Sequence, residues 1–189
     1  GGVPSLAELK LHNGTVYRWN RPVYDVADGM PHLRVENRIL AAGPTVADTV
    51  ANAAFYFGLV RSLAEDERPV WSRMPFATAR ENFQSAARVG IDARLSWPGV
   101  GQVPATELIL DTLLPLAAEG LDLWGVSPDE RDRYLGIIEG RCVAKTNGAE
   151  WFARRMEARS GMERADALRA TLLEYREAMH TNEPVHTWS

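Results

Sequence analysis

The sequence predicts an α+β protein, with a short antiparallel sheet near the amino-terminal end followed by a predominantly helical bundle. Strand-favouring residues are concentrated before Gly43, and helical periodicity dominates after Pro44. Asn13-Gly14 lies between two β-rich segments and is a strong hairpin signal. Within a single domain or fragment, we therefore expect three regions: antiparallel strands at residues 1–43, helices at 44–180 and an extended tail at 181–189.

Three antiparallel strands are the simplest arrangement of the first region. The first two are expected at residues 9–12 and 15–21, on either side of the hairpin signal. Residues 25–31 are expected to form a loop, because Asp28-Gly29 favours a turn. The third strand is expected at residues 32–40, where apolar and charged side chains alternate.

The alternation of the third strand gives it one charged face and one apolar face. Arg34, Glu36 and Arg38 share a face, so we expect the apolar residues between them to enter a core: Leu33, Val35 and Ile39. Guanidinium groups match the geometry of phosphates and carboxylates, and a carboxylate is a hard ligand for magnesium. The charged face therefore suits an anionic, metal-bound group. The alternative is a solvated charge ladder in which Arg34 pairs with Glu36.

Helix signals recur after residue 44. Thr45 is a candidate N-cap, Asp48 places an acid in the first turn, and this helix is expected to end near Glu65. A second helix is expected at residues 77–89, with Gly90 as its C-cap. Residues 91–98 should be extended and 97–101 a turn-rich loop, followed by helices at 105–124 (kinked or divided by Pro115), 128–144, 148–160 and 162–180.

Composition and charge exclude several classes of function. Hydrophobic residues make up 46% of the 189 residues and charged residues 24%, with a formal net charge of −4. We expect no nucleic-acid partner, because acidic residues outnumber basic ones and no long Lys/Arg run occurs. We also expect no membrane span or secretory signal, which favours the cytoplasm. Cys142 is the single cysteine and is expected to be a small buried residue.

The motifs that would define common enzyme classes are absent from the sequence. It has no P-loop, no dinucleotide-binding glycine pattern, no nucleophile elbow and no His-Glu-x-x-His helix. The four histidines are scattered, which disfavours a histidine metal site. The six tryptophans are spread singly and are interpreted as core or interface anchors, with Trp19 and Trp97 the better candidates for cleft walls.

Two separated segments carry motifs of a known enzyme family. The first has the pattern of an arginine-proline turn, a Glu-x-Arg strand and a helix-opening threonine, in residues 19–22 (Trp-Asn-Arg-Pro), 33–40 (Leu-Arg-Val-Glu-Asn-Arg-Ile-Leu) and Thr45. The second has the pattern of a helix end, in Glu81-Asn82, Ala86-Ala87-Arg88, Gly90 and Ile91-Asp92-Ala93. In their order and spacing, the two segments resemble the bacterial glutamate-cysteine ligases and related carboxylate-amine ligases, which are built on a glutamine-synthetase-like catalytic sheet.

The resemblance implies an ATP-dependent reaction in which the carboxylate of glutamate is phosphorylated and an amine then displaces phosphate. It implies Mg²⁺ at Glu36, a phosphoryl-holding role for Arg38 and a second anion-binding arginine at Arg21. Stabilising a moving phosphoryl group requires fixed cations and metal more than it requires a nucleophile. Arg34 shares the charged face and is a candidate substrate-binding residue. Asn82 and Arg88 either reach the cleft or pin their helix to the sheet.

Members of this family are considerably longer, so the chain resembles the carboxy-terminal part of such an enzyme. We expect the isolated chain to be inactive and either to self-associate or to pair with the missing amino-terminal part. Two departures matter: Asn20 stands where an acid is common, which makes cysteine a doubtful acceptor amine, and the tail at 181–189 matches no family role. The alternative is a noncatalytic helical interaction or regulatory module, whose charged face would be covered by helices or flat to solvent.

Overall fold

The computed structural model describes residues 2–15 and 20–189, and the chain divides into two units after Ala41. The first unit contains one helix and an antiparallel hairpin: α1 (Ala7–Thr15), β1 (Asn20–Ala27) and β2 (Met30–Asn37). The second contains the bundle and a second hairpin: α2 (Val46–Glu65), α3 (Val70–Arg73), α4 (Phe76–Val89), β3 (Arg94–Trp97), β4 (Gly101–Pro104), α5 (Ala105–Leu108), α6 (Leu114–Leu123), α7 (Pro128–Ala144), α8 (Gly148–Ala158) and α9 (Arg164–Thr181). This arrangement confirms the predicted α+β class.

The start of the first unit differs from the prediction. Residues 9–12 were expected to form a strand, but they lie in helix α1, which also contains Asn13-Gly14. The hairpin signal at Asn13-Gly14 was therefore wrong, because a run of good helix formers (Ala7, Glu8, Leu9, Lys10 and Leu11) precedes it. The predicted strand at 15–21 lies partly outside the described residues, and β1 begins at Asn20.

The hairpin turn is formed by Asp28 and Gly29 instead of a long loop. Both residues have positive φ, at 51° and 77°, as a type I′ turn requires. The strands therefore pair directly up to the turn, with Ala27 opposite Met30 and Asn20 opposite Asn37. The expected loop at 25–31 is wrong for this reason, since the turn occupies two residues and its neighbours belong to the strands.

The apolar face of this hairpin does not enter a core as predicted. The side chains of Leu33, Val35 and Ile39 are 69%, 68% and 41% exposed. Tyr24 is the buried exception, because its hydroxyl donates to the carbonyl of Pro4 and Lys10 of α1 lies 5.5 Å from its ring centroid. A two-stranded hairpin with one short helix has too little covering surface to bury a whole face.

Helix α2 begins as predicted and carries much of the second unit's core. The Thr45 hydroxyl accepts from the Asp48 amide, and the Asp48 carboxylate accepts in return from the Thr45 amide, which completes a capping box. Buried side chains of α2, α6 and α7 form two apolar clusters: Ala47, Ala51, Ile137 and Ile138, and Ala117, Leu121 and Leu135.

The long helix expected at 105–124 is divided, as predicted for Pro115. Residues Ile109–Leu113 form a π-helical segment between α5 and α6. Proline has no N–H to donate, so the carbonyl four residues earlier, that of Asp111, loses its α-helical partner. The widened backbone immediately before Pro115 accommodates that loss.

The expected extended segment at 91–98 contributes one strand of a second hairpin. Strand β3 pairs with β4 through the predicted turn, with Trp97 opposite Gly101. The tail at 181–189 was expected to be extended, but Val185–Thr187 forms a 3-10 turn and Val185 is fully buried. Cys142 is buried in α7 as predicted, and burial raises the pKa of its thiol to about 11. Within residues 2–15 and 20–189, no helix has the length and apolar character that crossing a bilayer requires.

Two glycines set the distance between α2 and α6. A Cβ at Gly58 would lie 2.2 Å from the carbonyl oxygen of Ala117, and a Cβ at Gly120 would lie 1.8 Å from the carbonyl oxygen of Gly58. Replacing Gly120 with alanine should therefore destabilise the second unit by about 1–3 kcal/mol or more, as overpacking does. Urea denaturation measures the loss.

The matched control for this substitution is Gly136→Ala in α7. A Cβ at Gly136 would have no neighbour within 4 Å. Alanine should therefore be neutral or should stabilise the helix by about 1 kcal/mol. Equal effects of the two substitutions would contradict the close-packing explanation.

Acid should destabilise the second unit through His186. Burial lowers the pKa of this imidazole, and the Arg141 charge acts in the same direction against the opposing charge of Asp48. Since the unfolded chain binds the proton more tightly, stability is complete above about pH 6.5 and falls as the pH drops from there through the lowered folded-state pKa. Thermal unfolding should show a melting temperature that falls from pH 8 to pH 5. His186→Phe should make this fall smaller, whereas the control His180→Gln, at an exposed site on α9, should leave it unchanged.

Candidate functional site

The charged face of the first hairpin gathers three of the predicted site residues. Arg21 and Glu36 lie directly opposite each other on β1 and β2. The Nε of Arg21 donates to Oε2 of Glu36, while the Nε of Arg38 lies 3.3 Å from Oε1. One carboxylate thus holds two guanidinium groups, so the cluster carries a net charge of +1.

The cluster is partly open to solvent. The side chains of Arg21, Arg38 and Glu36 are 25%, 26% and 35% exposed. The Arg21 hydrogen bond is the main cause that lowers the pKa of Glu36, and the charges of Arg21, Arg38 and Arg34 act in the same direction against partial desolvation. Glu36 is therefore an anion across the physiological pH range.

Arg34 shares this face but belongs to a different ion pair. Its Nη1 lies 3.4 Å from Oδ2 of Asp25 and 2.9 Å from Nε2 of His32. Asp25 and His32 face each other across the two strands, two pairs nearer the turn than the pair that contains Arg34. The expected alternative, in which Arg34 pairs with Glu36, is replaced by this diagonal contact, since Arg21 lies directly opposite Glu36.

The role of Glu36 as a magnesium ligand stays a prediction. Each oxygen of its carboxylate contacts one guanidinium and keeps a further lone pair, so a cation bound there would lie beside the positive charges of Arg21 and Arg38. Among the described residues, no group of three or more histidine, cysteine, aspartate or glutamate side chains is placed to hold a metal ion. The observed geometry suits an anionic ligand better, because the guanidinium groups hold the positive charge at fixed positions.

Asn82 and Arg88, the predicted site residues on α4, belong to the second unit. The Asn82 amide donates from Nδ2 to the carbonyl of Ser96 at 2.8 Å and accepts from the Ser96 amide at 2.8 Å. These two bonds fasten α4 to strand β3, which favours the structural role for Asn82. Arg88 is exposed in the last turn of α4, and its substrate-binding role stays a prediction.

Trp97 lines a cavity in the second unit, whereas Trp19 lies outside the described residues. The cavity has a volume of about 460 Å³ and is open to solvent. Besides Trp97, its lining includes Thr112 of the π-helical segment, Arg73 and the acidic residues Glu65, Asp66 and Glu119. Its size lies in the range of small-molecule sites.

A buried polar cluster lies at the start of α2 and was not predicted from the sequence. The Asp48 side chain is fully buried, and Nη2 of Arg141 donates to its Oδ1 at 2.7 Å. The Val185 amide also donates to the carboxylate, at 3.3 and 3.1 Å to its two oxygens. Asp48 was identified only as a first-turn acid, because partners that lie 93 and 137 residues away leave no local signal.

Comparison with known proteins identifies a family. The family model described as glutamate-cysteine ligase family 2 matches residues 8–173, which is most of the chain and includes both segments that carried the resemblance. No curated protein and no solved structure shows significant similarity to the chain. The matched span includes Arg21, Arg34, Glu36 and Arg38. The chain therefore belongs to glutamate-cysteine ligase family 2.

Proposed function

We propose that the chain is the carboxy-terminal part of an ATP-dependent ligase that joins the carboxylate of glutamate, or a similar acid, to an amine through an acyl phosphate. Family membership supports the ligase chemistry. The observation that carries the proposal is the cluster in which Glu36 orients Arg21 and Arg38. Fixed guanidinium groups are what an enzyme needs to stabilise charge on a transferring phosphoryl group.

Each residue of the cluster has a distinct role in this proposal. Arg38 holds the transferring phosphoryl group, and Arg21 binds a second anionic group of the substrates. Glu36 positions both arginines, because its carboxylate contacts each of them. Arg34 and Arg88 are proposed to bind substrate. Asn82 is proposed to hold α4, the helix that carries Arg88, against strand β3. ATP supplies the phosphoryl group. Glu36 is also proposed as a ligand of Mg²⁺, which would need further carboxylates from elsewhere in the enzyme.

An interaction or regulatory module is the second candidate function. It is favoured by the exposed Leu33 and Val35, which lie on the apolar face of a hairpin. Such a face suits pairing with another polypeptide, either a second copy or further strands of a catalytic sheet. The ligase proposal accommodates the same observation, because further elements of the enzyme that pack on this face would bury Leu33 and Val35. We place the ligase in the cytoplasm, with small-molecule substrates and without a nucleic-acid partner.

Replacing Glu36 with glutamine should reduce ATP-dependent product formation by about a hundredfold or more in the enzyme that contains this chain. The amide cannot hold two guanidinium groups by charge, and a lost transition-state electrostatic contact costs on the order of 10²–10³ in rate. Steady-state assays measure the loss, and circular dichroism checks folding.

The control for this variant is Glu150→Gln. Glu150 pairs with Arg154 on α8, at 2.8 Å, and neither residue is assigned to the site. Its replacement should leave activity within a few-fold of the unmodified enzyme. Near-normal turnover of Glu36→Gln, or equal losses in both variants, would contradict the role proposed for Glu36.

The isolated 189-residue chain should fold without catalysing the reaction. Glu36 is the carboxylate that we assign to the site, and phosphoryl transfer needs several metal-coordinating acids together with a nucleotide pocket. Calorimetry with magnesium-ATP should detect no tight binding, and sedimentation should show association through the hairpin. Tight nucleotide binding by a strictly monomeric chain would show instead that the site is complete.

A further inference from the structure

The cavity beside Trp97 has no part in the ligase proposal. It lies wholly within the second unit, between the last turn of α2, helix α3, the hairpin of β3 and β4, and the segment that runs from the π-helical turn into α6. Its volume of about 460 Å³ is in the range of small-molecule sites, which hold a ligand between apolar walls and orient it with a few polar groups. Four separate elements of the fold thus surround a space of ligand size.

Apolar side chains form the walls of this cavity. Trp97 is half-buried at the end of β3, and its cross-strand partner is Gly101. Since glycine has no side chain, no directly opposite neighbour covers the indole ring. The rest of the apolar lining comprises Leu63, Val70, Pro98, Leu116 and Leu123. An indole ring among aliphatic side chains suits the hydrocarbon body of a ligand.

The charged groups of the cavity are mostly acidic. Three carboxylates, those of Glu65, Asp66 and Glu119, line it together with one guanidinium, that of Arg73, so the lining has a formal charge of −2. Arg73 donates to the Asp66 carboxylate, and Arg61 pairs with Glu65 from outside the cavity at 2.9 Å. With Arg61 included, the formal charge is still −1. Within residues 2–15 and 20–189, Glu119 takes part in no ion pair, so its charge is available to a ligand.

The π-helical segment contributes directly to the lining. Thr112, which lies within Ile109–Leu113, places its side chain at the cavity. π-helical turns are rare in proteins and occur frequently at functional sites. The Thr112 hydroxyl adds a neutral hydrogen-bonding group to a lining that otherwise contains indole, aliphatic and charged side chains.

The indole and the negative charge together select the class of ligand. An ammonium group is attracted both to the face of an indole ring and to a carboxylate. An anion would be repelled by the net charge of the lining. A metal ion is not favoured, because no three histidine, cysteine, aspartate or glutamate side chains in the described part of the chain are grouped to hold one. The lining therefore suits an organic cation with an apolar body.

We propose that this cavity binds an organic monoamine, whose ammonium group pairs with Glu119 and whose apolar body lies against Trp97 and Leu116. The binding function is independent of the ligase proposal, since it uses neither Glu36 nor the arginines that Glu36 holds. A carboxylate on the ligand would oppose binding, because the Arg73 guanidinium is already paired with Asp66. The proposed ligand is thus an amine without an acidic group.

Calorimetry on the 189-residue chain tests the class of ligand. Phenethylamine should bind saturably, with a dissociation constant of about 1 mM or lower. Phenethyl alcohol, which keeps the aromatic body without the charge, should bind at least about fivefold more weakly. Phenylpropionate and free phenylalanine should also bind more weakly, because each carries a carboxylate that the acidic lining repels. Absence of saturable phenethylamine binding, equal binding of the amine and the alcohol, or tighter binding of phenylalanine would overturn the proposal.

Glutamine at position 119 tests where the ammonium group lies. Glu119→Gln should weaken phenethylamine binding about threefold or more and leave phenethyl alcohol binding unchanged, since only a charge is lost. The matched control is Glu139→Gln, which removes an exposed carboxylate from α7 outside the cavity and should leave both affinities within about twofold. Equal losses in the two variants would mean that the amine responds only to the overall charge of the chain, and would overturn the proposal.

Replacement of a tryptophan tests where the apolar body lies. Trp97→Ala should weaken phenethylamine binding about tenfold, because the cation–π contact and the aromatic wall are lost together. Trp71→Ala is the control, since Trp71 is 81% exposed and does not line the cavity. Circular dichroism checks folding, and if Trp97→Ala does not fold, the Glu119→Gln result decides the proposal. A folded Trp97→Ala chain that binds phenethylamine as well as the unmodified chain does would place the amine elsewhere and would overturn it.

Discussion

A fully buried carboxylate organises the second unit. Removing a charge from water costs several kcal/mol, and only close ion pairing together with further hydrogen bonds offsets that cost. Asp48 receives donors from its own helix cap at Thr45, from Arg141 on α7 and from the Val185 amide. Arg141 in turn donates to Asn52 on α2, at 2.6 Å. The start of α2, the end of α7 and the tail are thus positioned by one anion, and loss of a partner from such a pair typically costs about 3–5 kcal/mol.

The hairpin of β1 and β2 also pairs a carboxylate with arginines, but it does so at the surface. Glu36 is flanked by two arginines that stay partly solvated, so the pairs contribute little to stability. Their value is geometric, because a cross-strand carboxylate fixes where two planar cations point. In the proposed site, a ligand with several anionic oxygens would meet charges that are already in place and would not have to order them on binding.

Local chemistry decided how much could be predicted from the sequence. The helix that begins at Thr45, the C-cap at Gly90 and the boundaries of α7 were predicted because capping residues act within one turn. The charged face of β2 and the family of the chain were also predicted, because the alternation of side chains and the spacing of motifs are local features of the sequence. Two features were not predicted. Asn13-Gly14 lies in a helix because the preceding helix-forming residues outweigh its turn preference, and the pairing of Asp48 with Arg141 depends on the tertiary fold. The exposure of Leu33 was missed because covering surface is a property of neighbours that a strand pattern does not encode.

The separation in sequence between Asp48 and Val185 bears on how the chain is made. These residues are 137 positions apart, whereas the hairpin turn at Asp28-Gly29 joins neighbours. During synthesis, the hairpin can pair as soon as its own two strands have left the ribosome, because local contacts form early. The contact at Asp48 must wait until Val185, 137 residues later, has emerged. The start of α2 therefore receives this hydrogen bond only after all the helices from α2 to α9 have been translated.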